Sequence, residues 1–365
     1  MLTIARPNVE RLLNRHRASI VASSRIEARN NSSNGPANSI ARIYSSVRSV
    51  GRGVARLWQG LSRVRLDRRQ LTVITGCDSG LGYGMAVRSA ELGSSVVAGV
   101  LDAAGPGAQA LAGLDGVQVL PLDVTEERSR REFARAVEDT LRDEGLKLHA
   151  LVNNAGVMVF GLFDWQEPEH IEHQLKVNLV GPQLLTRALL PLIRRNSGAR
   201  VINVSSHCAK SALPGLAVYA STKAAIETWT CSLRIEFKNF SARAISFVPG
   251  SFYTESRIMA RQMEYFERMR AAMSDETKAF YGDYFDAYSK SLEPLAVQTR
   301  HDLLRNEEIL GAFEGALIDR RPSAKYKCEP WRYKIYHAFF EYAPVPVRDR
   351  LVERFIQMPK FKRRS

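Results

Sequence analysis

From residue 71 onward, short apolar runs alternate with longer amphipathic segments, and no other feature constrains the fold of this chain as tightly. Residues 71–74, 96–101, 117–120, 149–152, 200–204 and 244–248 read as buried strands, because each is short, apolar and bounded by Gly, Pro, Asp or Asn. Residues 125–142, 168–195 and 219–240 read as helices, with Glu126 and Glu127 placed where a helix N-terminus favours acids. Strands separated by helices pair in parallel, since the connection must cross over the sheet. The expectation is one α/β domain over residues 70–330, a doubly wound parallel sheet with helices on both faces. A chain of 365 residues with 45% hydrophobic content can fill one such core, and no second domain is required.

The net charge of +14 would suggest a nucleic-acid or membrane ligand if it were spread along the chain. Residues 1–70 instead hold 14 Arg, no Lys and three acids (Glu10, Glu27 and Asp67), so +11 sits there and +3 in all the rest. The arm, residues 1–69, is rich in Ser, Asn and Arg and too polar to build a core. Its composition matches an organelle transit peptide, which predicts a mitochondrial location. The alternative is a solvated basic tail that touches anionic membrane surfaces or nothing. Few aromatics interleave with the arginines and no binding module follows, so no nucleic-acid partner is expected. No run of about 18 apolar residues suggests a transmembrane helix, and arginines interrupt the N-terminal apolar runs where a secretory signal needs them whole.

Cys77, Cys208, Cys231 and Cys328 lack C-x-x-C spacing, so reduced thiols are expected rather than a disulfide framework or a zinc site. His170 and His173, with Glu169 and Glu172, lack the spacing of a zinc-protease helix and read as a solvated helix face. No metal is expected.

Two chemical signals stand on this frame. Thr75-Gly76-Cys77-Asp78-Ser79-Gly80-Leu81-Gly82 follows the first strand and leads into residues 83–92, which read as helix. In that setting glycines let a phosphate approach the backbone, and the helix N-terminus stabilises its charge. The second signal is Tyr219, with Lys223 four residues later and Ser206 thirteen positions upstream. Taken alone, Tyr-x-x-x-Lys describes two neighbours one helical turn apart, and a chain with 12 tyrosines forms it by chance. Order and context give it weight.

Five motifs occur together: Thr75-Gly76-xxx-Gly80-x-Gly82, Leu122-Asp123-Val124, Asn153-Asn154-Ala155-Gly156, Asn178 in Val177-Asn178-Leu179-x-Gly181, and Ser206 with Tyr219 and Lys223. In this order and spacing the chain from residue 71 to about 355 resembles the short-chain dehydrogenase/reductase family. The wording of the glycine turn is similar to the branch that holds retinol dehydrogenases, hydroxysteroid dehydrogenases and the animal mitochondrial 3-hydroxybutyrate dehydrogenase. The segment after Pro249-Gly250, with Tyr281-Gly282-x-Tyr284-Phe285, is similar to that branch too. The arm lies outside the resemblance.

The resemblance implies a Rossmann-type fold and a hydride moved between a nicotinamide and a carbinol carbon. Tyr219 would be the acid/base, its pKa lowered by the Lys223 ammonium from the usual value of about 10. Lys223 would also hold the nicotinamide ribose. Ser206 would hydrogen-bond the substrate oxygen, with adjacent Ser205 as its rival. Asn178 would hold a water on the proton path, or cap and bend its helix. Cofactor contacts are expected from Thr75, Gly76, Ser79, Gly80, Leu81, Gly82, Asp123 at the adenine, Asn153, Ala155, Gly156, Tyr219, Lys223, Pro249, Gly250 and Thr254. An acid that would bond the ribose is missing at Val100, where Asp102 is the nearest substitute. With no Arg or Lys in the turn or at residues 100–102, NAD(H) is expected, NADP being left open.

Residues 252–291 mix Met and aromatics with charges, which fits a lid over an apolar pocket and equally a helical pair packed on its own core. The reading is an oxidoreductase acting on a secondary alcohol or ketone of a hydroxysteroid or retinoid, the alternatives being 3-hydroxybutyrate oxidation or a non-catalytic dinucleotide-binding scaffold. Residues 331–365, aromatic and basic, would cover the pocket or lie on a membrane surface. A homo-dimer or tetramer through helices 168–195 and 219–240 is implied by the resemblance.

Overall fold

The computed structural model describes residues 62–210, 213–250, 255–296, 300, 302, 304, 306–328, 343–356, 359 and 361. Seven strands form one parallel sheet: β1 (Gln70–Thr75), β2 (Ser95–Val100), β3 (Val117–Pro121), β4 (Lys147–Asn153), β5 (Arg200–Val204), β6 (Arg243–Val248) and β7 (Lys325–Lys327). Their order is β3-β2-β1-β4-β5-β6-β7. The chain therefore reverses direction across the sheet between β1 and β4, and a crevice opens beyond the carboxyl ends of those two strands.

The helices in chain order are α1 (Gly80–Glu91), α2 (Pro106–Ala112), α3 (Glu127–Asp143), α4 (Pro168–Leu175), α5 (Gly181–Arg195), α6 (Ala217–Glu236), α7 (Gln262–Ala272), α8 (Asp275–Tyr281), α9 (Tyr284–Ala296), α10 (Glu307–Ile318) and α11 (Val345–Ile356). Alternate strand residues serve opposite faces, as the two-residue repeat of a strand requires. Val73, Val97, Leu151 and Val201 join Phe133, Val137, Leu185 and Leu189 on one face. Ile74, Ala98, Val152 and Ile202 join Met85, Leu111, Phe313 and Leu317 on the other. The expected doubly wound Rossmann-type sheet is thus present, with helices on both faces.

Three elements escape the periodicity reading. The short strand β7 is Lys-Tyr-Lys and carries no apolar run. Helix α2 spans seven residues and starts from a Pro at its first turn. Helix α10 is apolar on most of its surface, and its start is marked by Asn306, whose side chain accepts from the backbone of Glu308 and Ile309.

Helices α7 to α9 build a separate aromatic layer. Trp165 sits edge-on to Tyr281, Phe285 and Tyr288 at centroid distances of 5.1, 4.9 and 5.2 Å. Tyr265, Phe266, Met269 and Met273 complete it. Gln262 fastens α7 to the loop after β4, donating to Phe160 O at 2.7 Å and accepting from Phe160 N at 2.8 Å.

Candidate active site

The cleft at the strand ends encloses about 370 Å³ and is bordered by Gly76, Ser79, Gly82, Gly156, Ser206, Tyr219 and Lys223, among others. Its floor is the turn between β1 and α1. Gly76 and Gly80 hold φ of +70° and +56°, the left-handed region that glycine enters without strain. A Cβ on Gly82 would stand 2.1 Å from Gly76 O and 2.5 Å from Asn154 Nδ2, so only glycine fits there. Ser79 makes no side-chain cap on α1, which leaves the helix's first N–H groups for a ligand. An anionic diphosphate fits this cradle in charge and in space.

Thr75 and the loop after β4 hold the turn in shape. Thr75 Oγ1 accepts from Asn154 N at 3.1 Å and Ala155 N at 3.0 Å. Asn154 Nδ2 in return donates to Thr75 O at 2.9 Å and Gly76 O at 3.1 Å. Asn154 went unnamed as a functional residue in the sequence reading, although it sits inside a quoted motif. Asn153, expected to line the dinucleotide, points inward instead: its amide donates to Thr186 Oγ1 and Asn203 Oδ1 at 2.9 and 2.8 Å. The strand alternation that sends Asn154 to the cleft sends Asn153 beneath it.

On the far wall, α6 carries Tyr219 and Lys223 one turn apart, and β5 ends just before Ser205 and Ser206. The Ser206 hydroxyl and the Tyr219 phenol border the cleft together with Lys223. Ser205 turns away, its hydroxyl donating to Lys223 O at 3.3 Å. Ser206 Oγ also accepts from Cys208 N at 3.2 Å. Lys223 Nζ donates to Val204 O at 3.0 Å and lies 5.7 Å from the Tyr219 ring centre.

Burial sets the titration of this pair. It raises the Tyr219 phenol well above its usual range, with the Cys208 thiol adding to the shift and the Ser206 hydroxyl opposing it. The expectation that Lys223 lowers Tyr219 is therefore overturned in this geometry: the ammonium is aimed at a carbonyl, and desolvation dominates. Burial likewise lowers Lys223 to about 8.

Asn178 lies in a π-helical turn, Lys176–Val180, between α4 and α5. Its side chain accepts from Val157 N and donates to Val157 O, both at 2.8 Å. A Cβ on Gly156 would meet Asn178 Oδ1 at 3.4 Å and Lys223 Nζ at 3.5 Å, so these three residues converge. Asp123 borders the cleft with its carboxylate on Thr125 N and Oγ1, at 2.8 and 2.7 Å. Leu81, Ala155, Pro249 and Gly250 also border it. Thr254 lies outside the described residues, as do the arm up to residue 61 and residues 329–342 of the extension.

Other features were not foreseen. Asp78, inside the turn, accepts from Leu101 N at 2.9 Å and Asp102 N at 2.9 Å, fixing a carboxylate beside the end of β2. Arg257 and Arg261 border the cleft, as does His173. His170 is not on a solvated face; it is 2% exposed with its ring 5.3 Å from that of Tyr265. The 252–291 aromatics that are described mainly pack on their own core, and of the rings only Tyr265 borders the cleft. Among the described residues no helix is long and apolar enough to cross a membrane.

Residues 70–265 match the model of the short chain dehydrogenase family. Estradiol 17-beta-dehydrogenase 2 of Rattus norvegicus is 29% identical over 302 residues, 81% of this chain and 77% of that protein. Retinol dehydrogenase 7 of Mus musculus is 30% identical over 280 residues, covering 76% and 86%. Retinol dehydrogenase 16 of Homo sapiens is 33% identical over 289 residues, covering 78% and 88%. A 3-hydroxybutyrate specificity gains no particular support from these relatives. With its glycine turn, its parallel sheet and this likeness over most of its length, the chain belongs to the short-chain dehydrogenase family and is an NAD(P)-linked alcohol dehydrogenase/reductase.

Proposed function

We propose that the protein oxidises a secondary alcohol of a steroid or retinoid, or reduces the matching ketone, with NAD(H). The observation that carries the chemistry is the convergence of Ser206, Tyr219 and Lys223 at the rim of the glycine-turn cleft, with Lys223 Nζ 5.7 Å from the Tyr219 ring centre. The nicotinamide supplies or takes the hydride when bound. Tyr219, kept protonated by burial, gives its proton to a carbonyl oxygen in reduction; in oxidation it must first lose that proton. Ser206 orients the same oxygen and stabilises charge developing on it. Lys223, with its pKa near 8, exchanges protons close to neutral pH, and Asn178 and Gly156 bring the opening of that path beside its ammonium.

The apolar substrate is supported by the names of the relatives and by Met158, Ile258 and Tyr265 on the cleft wall. The preference for NAD is supported by Asp78, whose fixed carboxylate near the end of β2 would repel a 2′-phosphate. Leu175, Val180, Leu184 and Ile235, all more than a third exposed on α4 to α6, support a homo-dimer or tetramer. The composition of the arm supports a mitochondrial location.

The test is absorbance at 340 nm with the purified protein, NAD or NADP, and estradiol, retinol or 3-hydroxybutyrate as alcohol. Turnover with NAD and a steroid or retinoid is expected. Turnover with 3-hydroxybutyrate alone would overturn the substrate assignment, and a clear preference for NADP would overturn the role given to Asp78.

A further inference from the structure

The segment that follows β6 returns over the glycine turn and is anchored there at two points. Glu255 accepts from Asn306 N at 3.0 Å, which ties the segment to the start of α10. Ser256 is 6% exposed, and its Cα lies 3.3 Å from where a Cβ on Gly80 would stand. The segment is thus seated against the turn whose amides suit a diphosphate.

The next residue is Arg257. It is exposed, it borders the cleft, and among the described residues its guanidinium has no hydrogen-bond or ion-pair partner. The other cations around the cleft are committed. Lys223 Nζ is held by Val204 O at 3.0 Å. Arg261 is gripped by both oxygens of Glu264, at 2.9 and 2.6 Å. His173 is pulled below the usual histidine value by burial, with Arg261 adding to the shift. The nearby acid, Asp78, is already bonded to backbone amides and lies toward β2. The glycine turn offers amide N–H groups, which carry partial charge only, so one full positive charge beside it is the missing complement to a doubly charged diphosphate.

We propose that Arg257 is the counter-ion of the cofactor diphosphate, a phosphate-binding side chain delivered by the strap that Glu255 and Ser256 seat over the glycine turn. This rests on the dinucleotide reading of the cleft. Arginine suits the task because its planar fork pairs with two phosphate oxygens at once. Bound this way, it holds the dinucleotide beside the glycine turn and slows its departure.

The experiment is binding of NADH, ADP-ribose, adenosine and NADPH to the full chain and to Arg257→Gln and Arg257→Lys, by calorimetry and NADH fluorescence. Arg257→Gln is expected to weaken NADH and ADP-ribose alike by roughly ten-fold, to leave adenosine unchanged, and to flatten the salt dependence of ADP-ribose binding. Arg257→Lys should recover part of the loss, since the charge remains and the fork does not. Equal ADP-ribose affinity in the full chain and Arg257→Gln would overturn the assignment. So would a loss confined to NADPH, which would move the arginine to the 2′-phosphate, or an equal loss of adenosine, which would mean a disturbed strap. Failure of the unsubstituted protein to bind any of the dinucleotides would instead overturn the cofactor reading itself.

Discussion

The glycine-turn wall of the cleft and the α7–α9 layer are both densely packed, yet they are built on opposite principles. In the turn, function depends on side chains that are missing: a single methyl at Gly82 would collide with the carbonyl of Gly76. In the aromatic layer, packing depends on side chains that are large, and Trp165 lies edge-on to three rings at once. Backbone approach tolerates almost no substitution, whereas ring-on-ring packing tolerates many of similar volume. The first region therefore suits what every reaction of this kind shares, while the second is a packed core that meets the cleft through Tyr265.

The contrast can be broken most directly at Gly82. Gly82→Val should abolish detectable NADH binding and cost about 3 kcal/mol of stability or more, measured by fluorescence titration and thermal melting. Normal NADH affinity in that variant would remove the argument from backbone approach. Next in size, Tyr219→Phe should lower kcat by roughly a thousand-fold and leave NADH affinity intact, because the ring stays and only the proton goes. In the aromatic layer, Trp165→Ala should destabilise by about 3 kcal/mol, speed amide exchange in α7 and α9, and raise the KM for a steroid. A parallel loss of ADP-ribose binding in that variant would show that the two regions are not independent.

The most gradual effect concerns pH. Burial lowers His149 from its usual 6.5 to about 4, opposed by its contact with Leu317 O at 2.7 Å. The unfolded chain takes up a proton in that window while the folded chain does not. Stability is thus fully present above about pH 6.5 and is lost as pH falls toward 4, by up to about 3 kcal/mol. His149→Gln should flatten urea-unfolding stability over this window. An unchanged slope would mean that other groups, and not this scaffold histidine, govern the acid limb.

What could be read from the sequence follows the same division. Strands with a two-residue repeat and a glycine turn announce themselves because their constraints are local, so six of the strands and the position of the turn were legible. Asn154 and Asn153 were legible as a pair but not separately, since adjacent residues on a strand end face opposite ways and register decides which sees the cleft. The direction of the Tyr219 titration was not legible at all. It depends on how deeply the helix sinks the phenol and on which oxygen Lys223 meets, and the second is Val204 O at the end of β5. Arg257 and His170 were hidden for the same reason: composition shows a charge, while packing decides whether it is spent on a neighbour.

The match to the short chain dehydrogenase model ends at residue 265, but the sheet does not. Its last strand, β7, comes from residues 325–327 and covers the outer edge of β6, pairing Ser246, Phe247 and Val248 with Lys325, Tyr326 and Lys327. Helix α10, which precedes it, sets Phe313 against Phe247 with ring centres 6.1 Å apart. A chain cut at residue 265 would carry every named catalytic residue and a bare, apolar strand edge. Such edges recruit strands from other molecules, so that fragment is expected to aggregate before it can be assayed. The stretch that matches the family model and the stretch that closes the sheet are different objects in this protein, and residues 266–327 are what turns one into the other.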